Sequence, residues 1–335
     1  MSSAHGTGSS SDDAGFIRET EPFRRELRAH CYRMLGSVEE AEDVLQETYL
    51  RAWRSYRRFE RRSSMRVWLY RIATNACLTA LQHSERRLLP SDLAAPSENP
   101  DADVGPAGPH VRWLDPIPDA LITSESENPA AIAATRASVR LAMVASLQHL
   151  PSRQRAVLIL RDVLDVPAAE VAQMLEMSSA AVKSALQRAR ARIEQVAPQA
   201  EQLADPAEPE ALVLLDQYIA AFERADLALL ERALRTDAAL EMTSSGTWFA
   251  GNRNCLRFIR RFLGSSGVYR MLPTRANGQP AVAAYRRNEA GVHEAFAIVV
   301  LTTTTTGIAR IILFSDLRLF RTFGFPHVHP SELRE

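Results

Sequence analysis

Two stretches of the chain repeat their apolar residues with a helical period, and a third mixes helical periodicity with strand alternation. From Val38 to Trp53 the apolar and small positions Val38, Ala41, Leu45, Thr48, Tyr49 and Ala52 recur at steps of three and four, on one side of a helix. Ser37 with Glu40 three residues on has the spacing of a capping box. A second helix is predicted from about Met65 to Leu81, with Leu69, Ile72, Ala73, Ala76 and Ala80 inward and Arg71 and Asn75 outward. Further on, Leu150-Pro-Ser-Arg-Gln-Arg155 reads as a helix start, with Pro151 where its missing N–H does no harm. A short helix at Pro167 to Leu175, a turn at Glu176 to Ser178 and a longer helix to about Val196 follow, the last with a seam of Val182, Leu186, Ala189 and Ile193. From Ala211 the helical set is Leu212, Leu215, Ile219 and Phe222, and Asp226 caps a second helix that ends near Arg235. A strand near Leu240 and a helix near Asn252 to Leu263 come next. Strands at Val268 to Thr274 and Ala281 to Arg287 then flank Asn277-Gly278, a two-residue hairpin signal. Val292 to Leu301 alternates, and Gly307 turns the chain into Ile308 to Phe314.

Composition adds domain boundaries. The 335 residues are 46% hydrophobic and 24% charged, with 40 basic and 40 acidic side chains, which excludes a wholly disordered or collagen-like chain. The neutral total is unevenly spread. Glu21 to Leu89 holds 14 Arg against 9 acids, Arg136 to Pro198 holds 9 basic residues against 5 acids, and Pro90 to Thr135 holds 8 acids against Arg112 alone. That middle segment also carries 8 of the 18 prolines, so its own apolar residues cannot offset the entropy of ordering it, and we expect a linker. Pro198, Pro206 and Pro209 mark a second boundary. No apolar run reaches a membrane span, and the polar start Met1 to Gly15 lacks a secretory signal, so the cytoplasm is the expected address. Cys31, Cys77 and Cys255 are far apart with no C-x-x-C pair, so three buried thiols are expected, with no disulfide framework, structural metal or cofactor.

Three places carry candidate chemistry. Tyr56-Arg-Arg-Phe-Glu-Arg-Arg-Ser-Ser64 mixes guanidinium groups for phosphates with rings on which unpaired bases stack, although Trp53, Tyr56, Phe59 and Trp68 are equally what a small bundle core would use. On the last helix of the second module, Lys183, Ser184, Gln187 and Arg188 lie opposite the apolar seam, a set able to touch phosphates and base edges in a major groove. Within the linker, Trp113-Leu-Asp-Pro-Ile-Pro-Asp119 is too apolar to be left in water without cost. It reads as a hook that docks through Trp113, Leu114 and Pro116, or as a locally collapsed segment.

The wording of these stretches resembles a known family. Ala41-Glu-Asp-Val-Leu-Gln-Glu-Thr-Tyr-Leu-Arg-Ala-Trp53 followed by Val67-Trp-Leu-Tyr-Arg-Ile-Ala-Thr-Asn-Ala-Cys-Leu78 closely resembles region 2 of the extracytoplasmic-function group of bacterial sigma factors. Leu150 to Arg192 resembles region 4, most specifically Ser178-Ser-Ala-Ala-Val-Lys-Ser-Ala-Leu-Gln-Arg-Ala-Arg190, with one departure at Glu176, where many relatives have glycine. Thr247-Trp-Phe-Ala-Gly-Asn252, Leu272-Pro-Thr-Arg-Ala-Asn-Gly-Gln-Pro280 and Phe314-Ser-Asp-Leu-Arg-Leu-Phe320 resemble the C-terminal SnoaL-like or NTF2-like domain of the SigG-like group.

The resemblance implies a multidomain chain: a disordered tail over 1–20, an all-α region 2 over 21–89, an acidic linker over 90–135, a helix-turn-helix region 4 over 136–197 and an α+β cone over 210–326. It implies that Asp43, Gln46 and Glu47 bind the clamp coiled-coil of core RNA polymerase, that region 4 meets the flap, and that Lys183, Ser184, Gln187 and Arg188 contact the minus-35 element of promoter DNA. Phe59, Arg61, Arg62, Arg71 and Asn75 would read the minus-10 element, with one base flipped from the melted strand. The cone is expected to contact the linker or region 2, and His293, Asp316, Arg275, Tyr218 and Trp248 are candidates to line a cavity in it, with no spacing that makes them a catalytic set. The chain is thus expected to be a sigma factor and no enzyme. The alternatives are a ligand-sensing helix-turn-helix regulator and a DNA-binding module fused to a small enzyme.

Overall fold

The computed structural model describes residues 7–61, 63–82, 84–123, 128–196 and 208–334. They fall into two compact units: Met1–Arg86 with Ala120–Val139 and Ser146–Val196, and Arg87–Asp119 with Arg140–Ala145 and Ala197–Glu335. The helices before the third module are α1 (Thr7–Thr20), α2 (Arg24–Leu35), α3 (Val38–Ser55), α4 (Met65–Ala80), the one-turn α5 (Pro90–Leu93), α6 (Pro129–Val139), α7 (Leu141–Gln148), α8 (Ser152–Leu158), α9 (Ala168–Met174) and α10 (Ser179–Val196). Of these α5 belongs to the second unit, and α7 starts in it.

In the first unit the predicted seams close on one another. The Ser37 hydroxyl accepts the Glu40 N–H, and Val38, Ala41, Leu45, Thr48 and Ala52 of α3 are buried against α2 and α4. Leu69, Ala73, Ala76 and Cys77 of α4 are buried while Arg71 and Asn75 face outward as expected; Ala80, the last residue of the helix, faces outward too. Trp53 is 51% exposed and donates its indole N–H to Asp13, so it is no core residue. The expected disordered tail needs correction, because residues Thr7–Thr20 form α1. Phe16 supplies the reason: it is buried edge-on against Tyr49 and Tyr56, with ring centroids 6.3 and 5.3 Å away.

His30 and Arg155 are two of the polar side chains buried in this unit, with Arg33, Thr48, Thr74 and Gln148 among the others. Thr74 Oγ1 donates to the Tyr70 carbonyl at 2.7 Å, so it accepts from His30 Nε2 at 2.9 Å, and His30 Nδ1 is left buried with no partner among the described residues. Burial, with Arg33 and Arg66 adding repulsion, pushes the imidazole down to about 3. Arg155 at the start of α8 is 4% exposed and donates to the carbonyls of Met34, Gln148 and Leu150 and to the Gln148 amide oxygen, which ties α8 to the end of α2. Burial lowers its guanidinium to about 10.

The second unit is built on α11 (Glu208–Glu223), α12 (Leu227–Ala233), β1 (Leu234–Met242), β2 (Thr247–Ala250), α13 (Asn252–Leu263), β3 (Tyr269–Ala276), β4 (Gln279–Arg287), β5 (His293–Thr304), β6 (Gly307–Phe314) and α14 (Arg318–Thr322). The sheet order is β2-β1-β6-β5-β4-β3, antiparallel except for the β1–β6 pair. Asn277 and Gly278 both have positive φ, 57° and 69°, and close the β3–β4 hairpin in two residues as their identity predicts. Asp226 caps α12 through Leu229 N–H at 2.9 Å. The core lies between the sheet and its helices, with Leu215, Tyr218, Phe249, Phe258, Val282, Val299 and Ile311 at its centre. Leu212, expected on the inward side of α11, is 43% exposed, and Tyr218 takes the inward position. Cys31, Cys77 and Cys255 are free and buried. Pro198 and Pro206 of the expected boundary lie outside the described residues, and Pro209 sits in the first turn of α11.

The expected linker is the largest departure. Residues Arg87–Asp119 fold as part of the second unit, and α6 begins inside the stretch assigned to the linker. The estimate from composition counted only the segment's own apolar surface. The segment instead buries Leu89, Leu114 and Ile117 against surface that the α+β module provides.

Candidate nucleic-acid interface

On α10 the sequence pattern maps directly onto the surface. Val182, Ala185 and Ala189 are buried, whereas Lys183, Ser184, Gln187 and Arg188 are exposed, at steps that bring all four to one face. Neither Lys183 nor Arg188 makes an ion pair among the described residues, so both charges are available to an outside phosphate or base. The next cation along, Arg190, is occupied: it binds Asp162 through two contacts of 2.8 and 2.7 Å, and that pairing raises its pKa. The turn before α10 is made by Glu176 at φ 53°, a left-handed conformation that glycine adopts more cheaply.

The arginine-aromatic loop is more committed. Phe59 stacks on Trp68 with centroids 4.6 Å apart at 25°, so each ring has one face covered. Arg61, at φ 54°, forks onto Glu19 at 2.9 and 3.1 Å. Arg62 lies outside the described residues. Arg71 and Asn75 are exposed one turn apart on α4. Arg71 also lines a cleft of about 430 Å³ with Ser64, Val67 and Trp68 on one side and Glu170, Gln173 and Met174 of α9 on the other. On α3, Asp43 and Gln46 are exposed and Glu47 is half-buried, bound to Arg51 at 2.6 Å.

Hook residues Leu114 and Pro116 are buried, and Trp113 is half-buried. Leu88 and Trp113 form a parallel bridge, and Pro118 bridges Ala276. The contact that pattern reading missed is Asn277. Its side-chain oxygen accepts the Ile117 N–H and its own N–H donates to the Ile117 carbonyl, both at 2.9 Å. Gly278 N–H donates to Asp119 at 2.7 Å, and Arg275 Nε reaches the same carboxylate at 3.3 Å. A second anchor is Glu241, fully buried, which accepts from Arg310 at 2.6 Å and from the Ser91 N–H at 2.9 Å. The hairpin signal at Asn277-Gly278 explained the turn and so concealed this second role. Nothing in the local pattern marks Glu241.

A cavity of about 280 Å³ does exist in the α+β module, but of the five residues expected there only Tyr218 lines it. His293 is bound to the Gly267 carbonyl and Glu332, Asp316 to Arg318, Arg275 to Asp119, and Trp248 to the Ala94 carbonyl. These four are polar groups satisfied by the protein. Among the described residues no cluster of side chains suited to hold a metal occurs.

Models of sigma-70 region 2 and sigma-70 region 4 match residues 20–87 and 140–193. The chain is 46% identical over 314 residues to the ECF RNA polymerase sigma factor SigG of Mycobacterium tuberculosis, covering 93% of this chain and 84% of that one. It is 25% identical to the ECF RNA polymerase sigma factor SigW of Bacillus subtilis over 53% of this chain and 87% of that one. The crystal structure of the M. tuberculosis extracytoplasmic function sigma factor SigJ shares the fold, with a TM-score of 0.59 at 21% identity over 93% of this chain and 99% of that one. With both regions in order and 46% identity over nearly its whole length, the chain belongs to the extracytoplasmic-function family of RNA polymerase sigma factors.

Proposed function

We propose that α10 reads the minus-35 element, that the Tyr56 to Met65 loop and the start of α4 read the minus-10 strand, and that the α+β module regulates both by holding the linker between them. The carrying observation is the face of Lys183, Ser184, Gln187 and Arg188, exposed together on a helix whose opposite side is buried. One cation, one hydroxyl, one amide and one guanidinium supply donors and acceptors for base edges as well as charge for phosphates. Asp43, Gln46 and Glu47 offer an acidic and amide face to a basic coiled-coil of the clamp, and region 4 meets the flap. The chain makes no covalent change itself, since the polymerase supplies the chemistry, and its working place is the cytoplasm, where polymerase and template are. Among the described residues no single helix is long and apolar enough to cross a membrane.

Connectivity supports the regulatory part. Regions 2 and 4 are joined through the segment Arg87–Asp119, which is pinned at Ser91 by Glu241, at Ile117 by Asn277 and at Asp119 by Gly278. While these anchors hold, the slack available between the two DNA-reading modules is set by the α+β module. Footprinting of promoter DNA with core enzyme, with the chain alone and with both tests the reading. Protection of both elements is expected only with both proteins, and specific protection by the chain alone would reject it in favour of a self-sufficient regulator.

A further inference from the structure

The cavity beside α11 has a lining that neither the DNA-reading modules nor the linker anchors account for. Its walls are mostly aromatic and aliphatic: Phe222, Phe258, Phe262 and Phe296 with Leu240 and Leu313. Polar residues interrupt them: Ser244, Ser245, Ser315, Tyr269, Tyr218 and Arg286, of which Tyr269 donates to the Phe262 carbonyl and Ser245 to the Met242 carbonyl. Tyr218 is 1% exposed, yet its hydroxyl makes no hydrogen bond among the described residues. At a cavity wall, a hydroxyl with no protein partner is left to solvent or to a ligand, whose polar atom can take its hydrogen bond. Arg286 is exposed at the edge with its guanidinium 6.0 Å from the Phe296 ring centroid, and it makes no ion pair among the described residues. A cation resting on an aromatic wall favours an anion attached to an apolar body.

One lining residue comes from the linker. Val104 enters the wall, and the strand of chain around it is held from outside. Arg257 pairs with Asp101. Arg261 donates to the Pro100 and Ala102 carbonyls at 2.9 and 2.8 Å and reaches Asp103 at 3.2 Å, while Ala107 N–H donates to the Ser244 carbonyl at 2.9 Å.

We propose that this cavity binds a small organic acid with an aromatic or alicyclic body, its carboxylate paired with Arg286 and its polar edge bonded to Tyr218, and that entry of the acid displaces Val104 and loosens residues 99–107. The volume, about 280 Å³, sits just below the range of drug-sized pockets and suits a ligand of roughly ten to fifteen non-hydrogen atoms. Binding stands independently of the regulatory reading above. Only its consequence for transcription rests on that reading.

The test uses the full chain with two probes, 2-naphthoate and the neutral 2-naphthol, measured by equilibrium dialysis. Saturable binding at one site per chain is expected for both. Arg286→Met should weaken 2-naphthoate about tenfold and leave 2-naphthol within about twofold, because only the charge-assisted contact is lost. Tyr218→Phe, which keeps the ring, should weaken 2-naphthol about threefold or more. Binding that does not saturate, or variants that affect the two probes alike, would overturn the site. Saturating 2-naphthoate should also speed hydrogen exchange at the Ala107 amide about tenfold; unchanged exchange with probe bound would overturn the gating step while leaving the site. Absent binding together with linker variants that still alter transcription would reject the ligand and retain the regulatory reading.

Discussion

Ile117→Ala is the perturbation that separates linker docking from folding of the module on which it docks. The side chain is fully buried, and its backbone exchanges two hydrogen bonds of 2.9 Å with Asn277. Truncation removes three carbons from a closed site, leaving both the lost transfer energy and a residual cavity, and such changes cost about 2 to 5 kcal/mol. At about 1.4 kcal/mol per decade this lowers the docking constant by roughly 30-fold to several thousand-fold. The cost should appear locally, because the segment can detach while the sheet stays intact. The readout is native-state hydrogen exchange at the Asn277 amide, which donates to Ile117, compared with the Val299 amide in the centre of the sheet. Asn277 should exchange faster by the factor above and Val299 should hold its rate. Equal acceleration at both would mean that the segment is no separable element, and the argument that the third module meters the linker would fail.

Three further outcomes follow from the same structure. Arg188→Ala should cost about 1 to 3 kcal/mol of minus-35 affinity and relax preference at one base position, measured as holoenzyme binding to promoter variants; an unchanged preference would remove Arg188 from base reading. Native His30 takes up a proton only near pH 3, against 6.5 when unfolded, so the unfolded state holds more protons between those values. Stability of the first unit should therefore be full above pH 6.5 and fall toward pH 3 by up to about 1.4 kcal/mol per unit, and His30→Gln should flatten that slope in thermal melts. Gly307→Ala, at φ 129° with the added carbon 2.7 Å from the Ala233 carbonyl, should destabilise the α+β module by about 2 kcal/mol or more in denaturant titration.

What was legible in the sequence was whatever depends on neighbours along the chain. The α3 seam, the α4 seam apart from Ala80, the Ser37 cap, the Asn277-Gly278 hairpin and the outward face of α10 are each set by periodicity or by local backbone chemistry, and these are present in the structure. The departures share another cause: their partners lie far away in sequence. Phe16 orders α1 only because Tyr49 and Tyr56 meet it, and the proline-rich segment is ordered because Asn277 and Glu241 supply bonds from more than a hundred residues downstream. The cavity candidates failed for a related reason. His293 and Asp316 have functional chemistry by residue type, but Glu332 and Arg318 satisfy them, whereas Phe296 and Arg286 gave no signal above that of ordinary strand residues.

Run-off transcription from linear promoter DNA, with purified core RNA polymerase and the full chain, tests the central claim most directly. A discrete transcript that requires both the chain and core enzyme, and that fades when the minus-35 or minus-10 sequence is scrambled, is the predicted result. Transcription that starts without regard to either sequence, or failure of the chain to associate with core enzyme, would contradict it.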